Sequence, residues 1–137
     1  MNLVVDASVA IKWIVAEEQE AAAEALLLRG GHWLAPDFLV VEVGNVMRTK
    51  MAGGQLDLSQ AQAGLHFVKA TIDQFVPDAA LVERALQIAA DLNHAIYDCL
   101  YVACAERQQA QLVTADQRFV RKLDGSQYRS RVQHLNS

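Results

Sequence analysis

Residues 3–11 read Leu-Val-Val-Asp-Ala-Ser-Val-Ala-Ile: a β-branched run, one carboxylate, then a helical pattern. Leu3, Val4 and Val5 predict a buried strand that ends at Asp6. Val9, Ile11, Ile14 and Val15 predict a short helix over 8–15, with Ser8 placed to cap it. The alternation continues outward. An Ala/Glu/Leu-rich helix is expected over 17–28, stopping at Gly30-Gly31, and a strand over 32–35 before Pro36. Asp37 is placed to cap a helix running to about Met51, and Ser59 with Gln62 has the spacing of a capping box for a helix to about Ile72. Strands are expected at 74–76, 112–114 and 132–135, with helices at 79–92, 96–109 and 116–123. Strands alternating with helices give an α/β chain with a central, short parallel sheet flanked by helices. No linker divides residues 1–137, which read as one domain.

Composition sets outer limits. Of 137 residues, 53% are hydrophobic, enough to bury a core and to exclude a disordered chain. No apolar run reaches the roughly 20 residues of a membrane helix. The first residues lack a basic stretch and already carry Asp6, so no secretory signal is expected, and the cytoplasm is the default location. Cys99 and Cys104 lie five apart in a predicted helix. Their Cα atoms would be roughly 8.6 Å apart, too far for a disulfide. They read as small buried hydrophobes.

The net charge of −4 argues, by itself, against a non-specific phosphate binder. Its distribution is uneven. Residues 107–137 carry six basic side chains against Asp116 and Asp124, so the body of the chain is strongly acidic and its C-terminal part basic.

Four of the 16 carboxylates stand where a surface charge would not be expected. Asp6 is alone in 2–11, Glu42 in 38–47, Asp98 in 95–105 and Asp116 in 111–117. An isolated acid in an apolar stretch is costly unless something pairs with it. Each has a plain structural explanation: Asp6 and Asp116 as helix caps, Asp98 near a helix start, Glu42 in a buried ion pair with an arginine. Together they suggest more. Asp6 and Asp116 follow strand candidates, and ligands of open parallel sheets bind beyond the carboxyl ends of strands. Clustered carboxylates would repel, and a divalent cation relieves that repulsion. An all-oxygen set selects Mg²⁺ or Mn²⁺, and no His or Cys at ligand spacing points to zinc. A carboxylate-held Mg²⁺ takes phosphate oxygens as further ligands, which directs attention to phosphate-ester chemistry.

In order, the runs 4–13 (VVDASVAIKW), 35–47 (APDFLVVEVGNVM), 97–105 (YDCLYVACA) and 112–119 (LVTADQRF) resemble PIN-domain ribonucleases, and more narrowly the VapC toxins of bacterial toxin–antitoxin pairs. The resemblance extends from Leu3 to about Leu123. It implies a PIN-like three-layer fold and an acidic pocket of Asp6, Glu42, Asp98 and Asp116 that holds Mg²⁺ or Mn²⁺ and hydrolyses RNA phosphodiesters. Glu42 or Asp116 would orient or deprotonate the attacking water. Thr114, Asn45 and Ser8 fall in a supporting shell. Lys12, Arg48, Lys50, Arg118, Arg121 and Lys122 are candidates for contact with the RNA backbone. The resemblance also implies a homodimer and a small VapB-like antitoxin whose tail covers the pocket. Two other readings compete. A haloacid-dehalogenase-type phosphohydrolase would need an aspartate where Ser8 stands. A non-catalytic RNA- or protein-binding module would not need all four acids.

Overall fold

The fold is that of a computed structural model, which describes residues 1–15 and 19–137. Five strands form one parallel sheet: β1 (Asn2–Val5), β2 (His32–Pro36), β3 (Gln74–Val76), β4 (Gln111–Thr114) and β5 (Val132–His134), in the order β3-β2-β1-β4-β5. In β1 and β4 three consecutive residues are buried, and in β2 four. Side chains alternate between sheet faces, so unbroken burial means that both faces are covered. The three-layer α/β expectation holds.

Among the described residues seven α-helices flank the sheet, directly or through one another: α1 (Ala7–Ala10), α2 (Glu20–Arg29), α3 (Phe38–Ala52), α4 (Leu58–Thr71), α5 (Val82–Leu92), α6 (Ile96–Arg107) and α7 (Gln117–Lys122). Helix α6 is the most enclosed. Every residue from Cys99 to Ala105 is buried, and the helix packs on β1, β2 and β4. Both cysteines are free and buried within it, as expected. Among the described residues no helix is long and apolar enough to cross a membrane.

Several boundaries differ from expectation for local reasons. The helix expected over 8–15 is a single α-turn followed by a 3-10 turn at Ile11–Trp13, and Asp6, not Ser8, caps it. The expected helix start at Glu17 lies outside the described residues. The capping box belongs to Asp57 and Gln60 rather than to Ser59 and Gln62. Both pairs have the required spacing, and the carboxylate is the stronger acceptor. Asp37 makes no side-chain cap; the Phe38 N–H donates instead to Asp78 Oδ1 at 3.1 Å, tying α3 to the end of β3.

Candidate active site

The chain moves outward from β1 through β2 to β3, then returns to the other side of β1 to place β4. That reversal, beyond the strands' carboxyl ends, is where open parallel sheets bind ligands. Asp6 follows β1 directly, Thr114 ends β4, and Asp116 comes two residues later.

Asp6 is buried, at 8% exposure, yet it is fully bonded. Its Oδ1 accepts from the Ser8 hydroxyl at 2.6 Å and from the Val9 N–H at 3.3 Å. Its Oδ2 accepts from the Thr114 hydroxyl at 2.5 Å. Each hydroxyl accepts in turn from backbone beyond β4: Ser8 from Ala115 N–H at 2.9 Å, Thr114 from Asp116 N–H at 3.1 Å. A hydroxyl carries one proton, and both protons go to Asp6. The two hydroxyls thus stitch the ends of β1 and β4 together through one carboxylate. Burial pushes the Asp6 carboxyl up to about 7; the Ser8 and Thr114 bonds pull it down, and the charges of Glu42 and Asp98 push it further up.

Glu42 projects from the second turn of α3. Its Oε1 accepts from the phenol of Tyr101, in α6, at 2.5 Å. The partner is a tyrosine, not an arginine. Burial raises the Glu42 carboxyl, the phenol bond lowers it, and the charge of Asp98 raises it again. Tyr101 is 1% exposed. Burial and the charges of Glu42, Asp6 and Asp98 push its phenol far above the usual range, so it stays a donor.

Asp98 lies in the first turn of α6, where an acid suits the helix dipole. Its Oδ2 is 2.7 Å from Nε2 of His94. A carboxylate only accepts, which places the proton on Nε2. The imidazole leans on Phe119 of α7, with ring centroids 5.1 Å apart. Asp116 is exposed and turned to its own helix, its Oδ1 capping α7 through the Phe119 N–H at 3.1 Å.

Asp6, Glu42 and Asp98 are therefore close enough to act on one another, while Asp116 is engaged as a cap. Among the described residues no three His, Cys, Asp or Glu side chains stand close enough together to hold a metal ion as they are. Mg²⁺ does not require that many, since it binds through one or two carboxylates and keeps several waters. The donors are all oxygen, and the carboxyls of Asp6 and Glu42 are raised by burial and by neighbouring negative charge, which a hard divalent cation would relieve. The set fits such an ion.

Glu42 and Asp98 face an open groove of about 460 Å³ lined also by Phe38, Val41, Asn45, Ala95 and Tyr97. Phe38 and Tyr97 stack at its mouth, with centroids 5.4 Å apart and planes 21° from parallel. Asn45 is exposed on this wall, one turn beyond Glu42. Of the basic candidates, Arg118, Arg121 and Lys122 are exposed on α7, beside Asp116. Arg48 is also exposed but lines a different, apolar groove between α3 and α4. Lys50 is half-buried. Lys12, also a candidate for contact with the RNA backbone, is buried in the 3-10 turn. Sequence reasoning missed Tyr101 and His94 as parts of the site. Tyr101 lies three residues after Asp98 on one side of α6, whereas His94 stands just before that helix, four residues ahead of Asp98; the partner of Tyr101, 59 residues away, leaves no local signal.

A parallel sheet with carboxylates gathered at its reversal defines an α/β protein with an acidic site. The PIN domain family matches residues 3–124, and the chain belongs to that family. Ribonuclease VapC1 of Mycobacterium tuberculosis is 30% identical over 117 residues, which are 84% of this chain and 86% of the relative. The fold is similar to that of a Pyrobaculum aerophilum protein (TM-score 0.73, 20% identity, 99% of this chain and 85% of the other). It is similar also to a toxin–antitoxin complex from Klebsiella pneumoniae (TM-score 0.67, 14% identity, 97% of both chains). A third likeness is to VapBC2 from Rickettsia felis bound to a promoter DNA fragment (TM-score 0.65, 11% identity, 98% of both chains).

Proposed function

We propose that this chain is a divalent-metal-dependent endoribonuclease, the toxin of a VapBC-type toxin–antitoxin pair. One observation carries the reading. Asp6, Glu42 and Asp98 converge at the sheet's reversal point in a PIN-domain chain that is 30% identical to a ribonuclease VapC1.

Asp6 and Asp98, with Glu42 and Asp116, would hold Mg²⁺ or Mn²⁺. When bound, the ion acidifies a water and offsets charge on the scissile phosphate. Ser8 and Thr114 keep Asp6 in place from below. Glu42 or Asp116 takes the proton of the attacking water. Arg118, Arg121 and Lys122 hold the RNA backbone beside the pocket. The products carry a 5′-phosphate and a 3′-hydroxyl.

The partner is a VapB-like antitoxin. An antitoxin arginine reaching Glu42 and Asp98 would compete with the metal for the same charge. The toxin works in the cytoplasm as a homodimer of single-domain chains. Incubating the purified chain with RNA tests the reading. Cleavage is expected with Mg²⁺ or Mn²⁺, none with a chelator, and none from a folded Asp98→Asn variant. Equal cleavage by that variant, or none by the wild type with either ion, overturns it.

A further inference from the structure

We infer that Tyr101 is a positioning residue, and that the spacing of Glu42 and Asp98 across the groove is set by its hydroxyl. What those two acids do there rests on the ribonuclease reading; their geometry does not.

The two acids come from different helices. Glu42 is on α3 and Asp98 on α6, and these helices share little direct packing. Two side-chain contacts bridge them at the groove. One is the Phe38–Tyr97 stack at the mouth of the groove, where Tyr97 is 57% exposed. The other is the Tyr101–Glu42 bond behind it. The stack includes an exposed ring, whereas the bond comes from a buried phenol.

Tyr101 lies inside the run of seven buried residues that presses α6 onto the sheet. Its ring is held by packing on every side, so its hydroxyl is a fixed point. Asp98 lies three residues earlier on the same side of the same helix. One rigid helix therefore carries one acid and the donor that locates the other. Glutamate has three rotatable bonds, and without a partner it would spread over many rotamers. Among the described residues Tyr101 is the only hydrogen-bond partner of Glu42. It engages Oε1 alone, which leaves Oε2 for the groove. Asp6 has three such bonds and needs no help of this kind.

Tyr101→Phe keeps the ring and removes one oxygen. Its kcat for RNA cleavage is expected to fall about 10- to 100-fold, with KM within about twofold, because a misplaced group costs rate rather than substrate binding. Mn²⁺ affinity, followed directly by electron paramagnetic resonance, is expected to weaken about tenfold. Glu42→Asp, one methylene short of the phenol, should reproduce both losses. In a Glu42→Ala background Tyr101→Phe should add less than about a twofold change to either readout.

A kcat and Mn²⁺ affinity within twofold of wild type in Tyr101→Phe overturn the inference. So does an equal loss in the Glu42→Ala background, which would mean that Tyr101 acts through packing. A wild type that binds Mn²⁺ but cleaves no RNA defeats the ribonuclease reading instead, and the Mn²⁺ comparison still decides the role of Tyr101.

Discussion

The floor of the site and its wall are built in opposite ways. The floor is Asp6 with Ser8 and Thr114, buried at the junction of β1 and β4 and closed by short hydrogen bonds. The wall is Glu42 and Asp98, half-exposed on two helices, each held by a single side-chain bond. Groups in the floor stabilise the fold while serving the site; groups in the wall serve the site at little structural cost. The contrast separates two kinds of damage that an activity assay alone would confuse.

The largest expected effect breaks the comparison if it fails. Asp6→Ala and Asp98→Ala should each lower cleavage by about 10²–10⁴. Only Asp6→Ala should also destabilise the chain in urea at acid pH, by about 1–2 kcal/mol for the lost cap of α1. Asp98→Ala should unfold within about 0.5 kcal/mol of wild type. If the two variants unfold alike, floor and wall do not differ in the manner described.

The second effect is a pH dependence. Burial raises Asp6 from 3.8 to about 7 in the folded chain. Between those values the folded state keeps a proton that the unfolded state has released. The stability due to that proton is full below about pH 4 and is lost as pH rises through 7. Metal-free protein should therefore lose melting temperature from pH 5 to pH 8, and Asp6→Asn should flatten that slope. An unchanged slope in Asp6→Asn would assign it to another group.

Thr114→Val comes next. It leaves Asp6 Oδ2 without a partner in a buried setting and the Asp116 N–H without one in a partly buried setting, at about 1–3 kcal/mol. Thr114→Ser restores the hydroxyl and should recover most of the loss in urea titrations. The smallest effect is expected for His94→Ala. Its bond to Asp98 is partly exposed, and removing it should cost no more than about 1 kcal/mol of stability. A larger loss would move His94 from the wall to the floor.

The same division explains what the sequence discloses. The sheet, the strand-end acids and the buried cysteines follow from runs of four to eight residues, and those are legible. Leu3 to Asp6 already states a strand and its ending. Glu42 is visible as an oddity, a charge inside an apolar helix, but its explanation is Tyr101, which no local pattern connects to it. The sequence points to Asp37 as the cap of α3, but Asp78 supplies it, 40 residues from the Phe38 N–H that it accepts, because packing at the end of β3 overrides local preference. Asp57 and Ser59 present the same spacing two residues apart, and spacing alone does not choose between them. The burial of Lys12 likewise depends on how the 3-10 turn after α1 packs.

One feature of the floor bears on how the chain is made. Asp6 and Thr114 are 108 residues apart, and β1 lies in the middle of the sheet with β4 beside it. A ribosome delivers β1 first and holds it unpaired on that side until β4 has emerged. A nascent or truncated chain ending before residue 111 carries Asp6, Glu42 and Asp98 and lacks the strand that seats the first of them. The pocket is thus completed only once β4 has been made, when the surface that a partner would cover comes into being with it.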